Sequence, residues 1–175
     1  MATVYVSGES VADVTVRRYS IGPTVDAVGA SRLLSYADDM TGVRVTTQLD
    51  EIDLDVVHRW LSEEAYWALG RSRELVERAA RASLNFGALD ADGILVGYAR
   101  VVTDAATFAW VCDVFVTPSA RGAGVGTLLA ETIAAAVRPW GLKRTMLATA
   151  DAHGVYEKVG FVPLPNPERM MVLGG

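Results

Sequence analysis

Three glycines on alternate positions stand between an apolar segment and a predicted helix, in the sequence Arg-Gly-Ala-Gly-Val-Gly of residues 121–126. The apolar segment 108–116 predicts a strand that Pro118 closes, and a helix is predicted over residues 127–138. Glycine leaves its backbone N–H groups unshielded because it has no Cβ, and a helix N-terminus carries partial positive charge. The segment therefore predicts a strand–loop–helix unit that binds a phosphate or a pyrophosphate.

Two common phosphate-binding loops do not fit this segment. A P-loop requires a Gly-Lys pair, and the chain contains none. A dinucleotide fingerprint that starts at Gly124 requires glycine at position 129, where the chain has Leu129, and it normally follows the first strand of a domain. A plain strand-to-helix turn needs fewer glycines than these three. The expectation is therefore a phosphorylated ligand of another class.

Length and composition favour one globular domain. The chain has 175 residues, of which 51% are hydrophobic and 21% charged, and its net charge of −5 argues against a nucleic-acid partner. The sequence contains no run of about 18 apolar residues, so no contact with a membrane is expected. Cys112 is the only cysteine and the first residues do not resemble a secretory signal, so we expect a cytoplasmic protein without disulfides.

Hydrophobic periodicity predicts a mixed order of strands and helices from residue 43 onward. The predicted strands are 43–47, 84–89, 95–102, 108–116 and 143–149, and the predicted helices are 53–62, 72–83, 127–138 and 152–159. One or two last strands are predicted after Phe161. Asp53 and Ser72 are expected to cap the first two helices. This order indicates an α+β (mixed α/β) fold with one crossover connection.

Residues 1–42 have a different pattern from the rest and are interpreted as an N-terminal extension, with the main domain at residues 43–175. Short apolar runs separated by glycine and serine predict a hairpin followed by a helix in this arm. Two roles remain open for it. The arm could be flexible or pack on the domain, or it could join two copies of the chain in a homodimer.

A second motif gives the glycine loop a partner. Residues 156–161 read Tyr-Glu-Lys-Val-Gly-Phe and follow the loop after one helix and one strand. With Val116-x-Pro118 ahead of the loop, the pair resembles the GNAT superfamily of acyl-CoA-dependent N-acetyltransferases over residues 43–173. Residues 58–67 are similar to a bacterial subgroup whose substrates are poorly defined. The resemblance implies a central, mostly antiparallel sheet of about six or seven strands, flanked by about four helices.

The resemblance implies acetyl-CoA as co-substrate and no metal. The CoA diphosphate would be bound at the glycine loop by Arg121, Gly122, Ala123, Gly124, Val125, Gly126 and Thr127. The family splays its fourth strand from its fifth, so the pantetheine arm would pair like an added strand with the backbone of Val114, Phe115 and Val116.

The resemblance also implies direct transfer, in which a neutral amine attacks the acetyl carbonyl and CoA leaves as a thiolate. Tyr156 would donate a proton to that thiolate, because a phenol with a pKa near 10 is protonated at neutral pH. Asp113 and His153 are the candidates for the base. An isolated carboxylate in an apolar strand is costly, so the alternative for Asp113 is a paired structural carboxylate. The alternative for His153 is a capping or packing role.

The expected acceptor is a primary amine on a small molecule or a protein. In the family its pocket lies between the first two helices and the ends of strands four and five, where aromatic candidates are Trp60, Tyr66, Trp67, Phe108 and Trp110. Each of these side chains could instead fill the core. Thr149 and Cys112 replace a frequent asparagine and a common glutamate of the family. The alternative function is a catalytically silent acyl-CoA-binding module or sensor.

Overall fold

One sheet and four α-helices make up the computed structural model, which describes residues 42–173. The strands lie in the order β1 (Arg44–Thr46), β2 (Leu84–Leu89), β3 (Leu95–Thr103), β4 (Phe108–Val116) and β5 (Arg144–Met146). The helices are α1 (Leu54–Arg59), α2 (Arg73–Arg81), α3 (Val125–Val137) and α4 (His153–Glu157), and a π-helical turn, Trp60–Glu64, extends α1. Strands β1 to β4 pair antiparallel, and β5 runs parallel to β4. The mixed fold class, the mostly antiparallel sheet and the single crossover through α3 are confirmed.

The predicted strand count is wrong for residues 42–173, which form five strands rather than six or seven. The strands expected after Phe161 are absent from this part of the chain, where a 3-10 turn, Pro167–Arg169, interrupts an extended tail. Pro163, Pro165 and Pro167 each remove a backbone N–H that a sheet ladder would need. Strand β5 is also shorter than the predicted 143–149. The predicted hairpin and helix arm lies outside the described residues.

The helix starts follow the sequence signals. Asp53 Oδ1 accepts hydrogen bonds from the N–H groups of Asp55 and Val56 at 2.9 and 3.1 Å, and Ser72 Oγ accepts one from Leu75 N–H at 3.2 Å. These bonds satisfy donors that the first helical turn leaves without partners. Both capping predictions are confirmed.

Helices cover both faces of the sheet. Helix α3 places Leu129 and Ile133 against one face, with Val101 and Val111 of the sheet. On that face a Cβ at Gly97 would lie 3.2 Å from side-chain carbons of Val125 and Leu129, so glycine lets α3 approach closely. Helices α1 and α2 close the other face through a second cluster. Among residues 42–173 no helix is long and apolar enough to cross a membrane.

Strand β4 contains a bulge at Asp113, which has a positive φ of 53°. Its register with β3 shifts there, because Tyr98 pairs with Phe115 while Arg100 pairs with Cys112. A bulge adds one residue to a strand and so reverses the side-chain alternation beyond it. Phe115 accordingly joins the cluster under α1 and α2, whereas Val111 faces α3.

Candidate active site

A cleft opens where β4 and β5 separate. The two strands pair only through the β4 residues from Phe108 to Trp110. From Val111 to Val116, no strand within residues 42–173 pairs with this edge of β4. The cleft has a volume of about 500 Å³ and lies between this free edge and the segment after β5. Of the predicted pantetheine-binding residues, Val114 lines the cleft. An unpaired strand edge offers backbone donors and acceptors to an extended ligand that carries amides.

The glycine loop follows the C-terminal end of β4, shortly after the unpaired part of that strand. Gly122 and Gly124 have φ values of 79° and 86°, a conformation that side chains with a Cβ rarely adopt. Gly124 is the N-cap of α3 and no side chain caps this helix. The first intrahelical bond runs from Leu128 N–H to Gly124 O at 2.9 Å, so the preceding N–H groups of residues 125–127 have no partner within the helix. These groups can bind an anion, as predicted for a diphosphate.

Arg121 and Val125 hold the loop in place from its two ends. The Nε of Arg121 donates to Val116 O at 3.0 Å, and its guanidinium lies 5.7 Å from the ring centroid of Phe115. Val125 is 1% exposed and packs in the core. The backbone of the loop is therefore fixed at the end of β4, while residues 121–124 are exposed to solvent.

Tyr156 lies on the far side of the cleft from β4. The short helix α4 places it there, 9% exposed, with its ring 5.9 Å from Phe161 in an edge-on contact. Burial, and to a smaller extent the negative charge of Asp151, raises the pKa of Tyr156 to about 12. The phenol therefore keeps its proton at neutral pH and can donate a hydrogen bond into the cleft, where it is a lining residue.

Asp113 is paired with two arginines. Its Oδ2 accepts hydrogen bonds from Arg71 Nη1 and Arg100 Nε, both at 2.6 Å, and the Asp113 side chain is 3% exposed. Arg71 belongs to the loop between α1 and α2, and Arg100 to the neighbouring strand β3. This arrangement favours the structural alternative for Asp113 over the role of base. Sequence analysis missed both arginines, because Arg71 lies 42 positions away in the chain and no local pattern links the two.

The two residues expected to face the cleft together, Tyr156 and His153, share a cavity, but only Tyr156 also lines the cleft beside β4. Tyr156 lines both the cleft and a different, larger cavity of about 940 Å³ between β5, α3 and the tail, whereas His153, which is exposed, lines only the larger cavity. Thr149 borders both cavities, and its Oγ1 accepts a hydrogen bond from Ala152 N–H at 3.0 Å ahead of α4. Asp151 also lines the cleft. Sequence analysis missed Asp151, although its position just before α4 is a signal for an exposed acid at this edge.

Three of the aromatic candidates meet at the cleft and two do not. Tyr66, Trp67 and Trp110 line it. Trp60 is buried instead and stacks on Phe115 with a centroid distance of 5.2 Å, and Phe108 is outside the lining. Tyr66 and Trp67 touch edge-on at 4.9 Å and remain 62% and 44% exposed, respectively. Large aromatic rings left open beside a cavity are typical of ligand contacts.

Cys112 also lines the cleft, but its side chain is a neutral thiol and therefore a poor nucleophile. Burial raises the pKa of Cys112 to about 11, so little thiolate forms at neutral pH. Within residues 42–173 no group of three His, Cys, Asp or Glu side chains is arranged to hold a metal ion.

Comparisons with known proteins agree with this geometry. The model of the Acetyltransferase (GNAT) family matches residues 54–161. A GNAT-family protein from Xanthomonas campestris pv. campestris is 41% identical in sequence, with a TM-score of 0.73 over 78% of this chain and 95% of that one. A Staphylococcus aureus protein of unknown function shares the fold at 23% identity, with a TM-score of 0.63 over 76% of this chain and 98% of that one.

A shorter match is found to a Gibberella zeae protein whose name describes an unconfirmed acetyltransferase. The two sequences are 34% identical over 64 residues, which is 36% of this chain and 36% of the fungal protein. The glycine loop (residues 121–126) and all the residues that line the cleft beside Tyr156 lie within the residues that the family model matches. The chain belongs to the GNAT family of acetyltransferases.

Proposed function

We propose that the protein transfers an acetyl group from acetyl-CoA to the nitrogen of a primary amine. The observation that carries the proposal is the continuous path from the free N–H groups at the start of α3, along the unpaired edge of β4, to the phenol of Tyr156 in the cleft. A diphosphate, an amide-bearing arm and a thioester, in that order, fit these three features.

The cofactor would be bound almost entirely by backbone groups. The N–H groups of residues 122–127 would bind the diphosphate, and the unpaired edge from residue 114 to residue 116 would pair with the pantetheine amides. Gly126 supports this placement, because a Cβ built there would meet only Val116 Cγ2, at 3.9 Å. The protein itself leaves room for a side chain at this position, so the space above it is available to a ligand.

In the transfer step the amine first loses a proton to water, and its lone pair then attacks the acetyl carbonyl. The new C–N bond forms, the C–S bond breaks, and its electron pair leaves with the sulfur. Tyr156 donates its proton to that sulfur and recovers one from the nitrogen through water. Its raised pKa keeps the phenol protonated at neutral pH, so the proton that it donates is present at the start of each turnover.

Asp113 serves in this proposal as a positioning residue rather than as the base. Its carboxylate joins the loop after α1 to the bulge in β4 through Arg71 and Arg100. That connection fixes the cleft wall that carries Tyr66 and Trp67. The scheme uses water rather than His153 as the base, because His153 is outside the lining of the cleft beside β4, although it shares the larger cavity with Tyr156.

Acetyl-CoA binding and thiol release test the proposal. Saturating acetyl-CoA should raise the melting temperature, since a ligand that binds only the folded state stabilises it by about 2.7 kcal/mol at 100 times its dissociation constant. A panel of primary amines should then release CoA thiol at rates above the amine-free background. Stabilisation by acetyl-CoA without thiol release from any amine would instead support the silent acyl-CoA-binding alternative. No stabilisation at all would overturn the cofactor assignment.

A further inference from the structure

The cleft combines aromatic rings with one unpaired carboxylate. Asp151 forms no ion pair with any residue of the described range 42–173, whereas the other lining carboxylate, Asp113, is bound by two arginines. None of the described residues that line the cleft is a lysine, an arginine or a histidine. The free charge presented to a ligand by the lining is therefore negative.

The aromatic side of the cleft suits a cation on an apolar body. Trp67 and Trp110 line the cleft, and the face of an indole ring attracts a cation more strongly than those of other aromatic rings. The exposed pair formed by Tyr66 and Trp67 also offers flat apolar surface at the entrance. An ammonium group near Asp151 and an aromatic or aliphatic body against these rings would satisfy both features.

A substrate that carries an anionic group beside its amine would find no free cation among the residues that line the cleft. Arg71 and Arg100 contact the lining through Asp113, but each is engaged with that carboxylate, and Arg100 also donates to Ser83 Oγ at 3.2 Å. Their side chains are only 19% and 15% exposed. A carboxylate or phosphate brought into the cleft would meet the charge of Asp151 without a free cation among the lining residues.

We propose that the acceptor is an arylalkylamine or a similar cationic amine with an apolar body, and that amines carrying a carboxylate or phosphate beside the nitrogen are rejected. This inference rests on the proposed N-acetyltransfer and names the substrate class of the same cleft. It assigns Asp151 to the ammonium group, and Trp67 and Trp110 to the body of the substrate.

Matched pairs of amines test the charge rule. Thiol release from acetyl-CoA would be followed with phenethylamine against phenylalanine and with tyramine against tyrosine. We expect kcat/KM to be at least about tenfold higher for the amine without the carboxylate in each pair, because like charges brought together cost several kcal/mol. A kcat/KM for the amino acids that equals or exceeds that for the amines would overturn the inference. If Arg71→Gln then lost this activity toward the amino acids, Arg71 would be identified as the partner of their carboxylate.

Variants of the lining test the assigned residues. Asp151→Asn should raise the KM for phenethylamine about tenfold while the affinity for acetyl-CoA stays unchanged. Trp67→Ala should raise it as well, and Trp67→Phe should restore part of the loss. Asp92→Asn, in the exposed turn between β2 and β3, is the matched control and should behave as the wild type. An unchanged KM in Asp151→Asn would remove the carboxylate from the proposal.

A binding measurement separates failure of this inference from failure of the proposed function. Quenching of tryptophan fluorescence would be titrated with phenethylamine and with phenylalanine in the presence of CoA, which requires no turnover. Tighter binding of phenethylamine, lost in Asp151→Asn, would support the charge rule even if no amine released thiol. Equal affinities for the two ligands would overturn it whether or not the protein proves to be an enzyme.

Discussion

Arg71 Nη1 lies 2.6 Å from Asp113 Oδ2, and this bond joins the loop between α1 and α2 to the bulge in β4. The loop carries Tyr66 and Trp67, and the bulge borders the unpaired edge of the strand. One buried ion pair therefore fixes two walls of the cleft relative to each other. Arg100 holds the same oxygen from β3, so the carboxylate is fixed from two sides.

The first prediction concerns the stability of this cluster. Asp113→Asn should lower the free energy of unfolding by about 3 kcal/mol or more, because it leaves two arginines largely buried without their counterion. Urea unfolding measures the loss. Asp55→Asn is the control, since Asp55 is 83% exposed in its pair with Arg73, and it should cost less than about 0.5 kcal/mol. A stable Asp113→Asn protein with a large loss of kcat would point to the base role instead.

The second prediction separates the effect of a side chain at Gly126 on the stability of the free protein from its effect on ligand binding. Gly126→Ala should leave the free protein as stable or more stable by up to about 1 kcal/mol, because alanine favours a helix and its Cβ meets only Val116 at 3.9 Å. The same methyl group should weaken acetyl-CoA binding about tenfold or more by blocking approach to the N–H groups of α3. Calorimetric titration measures the affinity, and thermal unfolding the stability.

Gly154→Ala is the matched control for that change. Gly154 lies in α4, and a Cβ there would have no atom within 4 Å. The variant should bind acetyl-CoA as the wild type does. Unchanged affinity in Gly126→Ala would argue against a diphosphate at this helix start.

The third prediction concerns the phenol of Tyr156. Tyr156→Phe should lower kcat by about 100-fold, the lower end of the usual effect of a positioned acid, with little change in acetyl-CoA affinity. The ring contact with Phe161 is retained, so the melting temperature should stay close to that of the wild type. Because the pKa of Tyr156 is raised to about 12, wild-type kcat should not decline up to about pH 10. A variant as fast as the wild type would exclude Tyr156 as the proton donor.

The fourth prediction concerns stability at alkaline pH. Burial raises the pKa of Tyr98, whose Oη donates to Asn85 Oδ1 at 2.6 Å. The folded state then holds this proton more tightly than the unfolded chain, in which a phenol titrates near 10, so stability should fall as pH rises above about 10. Tyr156 and Cys112 contribute with the same sign, and the Cys112 thiol does so from a lower pH, because an unfolded thiol titrates at about 8.5. Urea midpoints measured from about pH 8 to pH 11 should show the decline.

Tyr98→Phe isolates the contribution of that one group. The variant should lose about 1–3 kcal/mol at neutral pH, because Asn85 Oδ1 loses its buried donor, yet its stability should fall less steeply at high pH. Tyr66→Phe, at a position 62% exposed, should keep the wild-type slope. A slope unchanged in Tyr98→Phe would assign the alkaline decline to other groups.

Local sequence was sufficient to predict the elements around the site. The caps at Asp53 and Ser72, the bounds of β4 and the glycine turn before α3 each depend on residues within a few positions of one another. Short-range hydrogen bonds and allowed φ values decide such features, so periodicity and residue type reveal them. The motif beginning at Tyr156 is local in the same way, and its family resemblance is confirmed by the match over residues 54–161.

Tertiary structure decided which of the candidate residues face one another. Asp113 sits in a bulge held by Arg71 and Arg100, and the bulge turns Phe115 to the face opposite Val111. Trp60 and Trp67 have the same side chain and lie close in the sequence, yet one is in the core and the other at the cleft. These outcomes depend on the register of strand pairing and on long-range ion pairs. Such interactions change the free energy of folding only when segments distant in the sequence come into contact, so local patterns do not reveal them. The glycine loop can therefore be predicted from the sequence alone. The cleft beside it exists only because β4 and β5 pair over three residues and then separate.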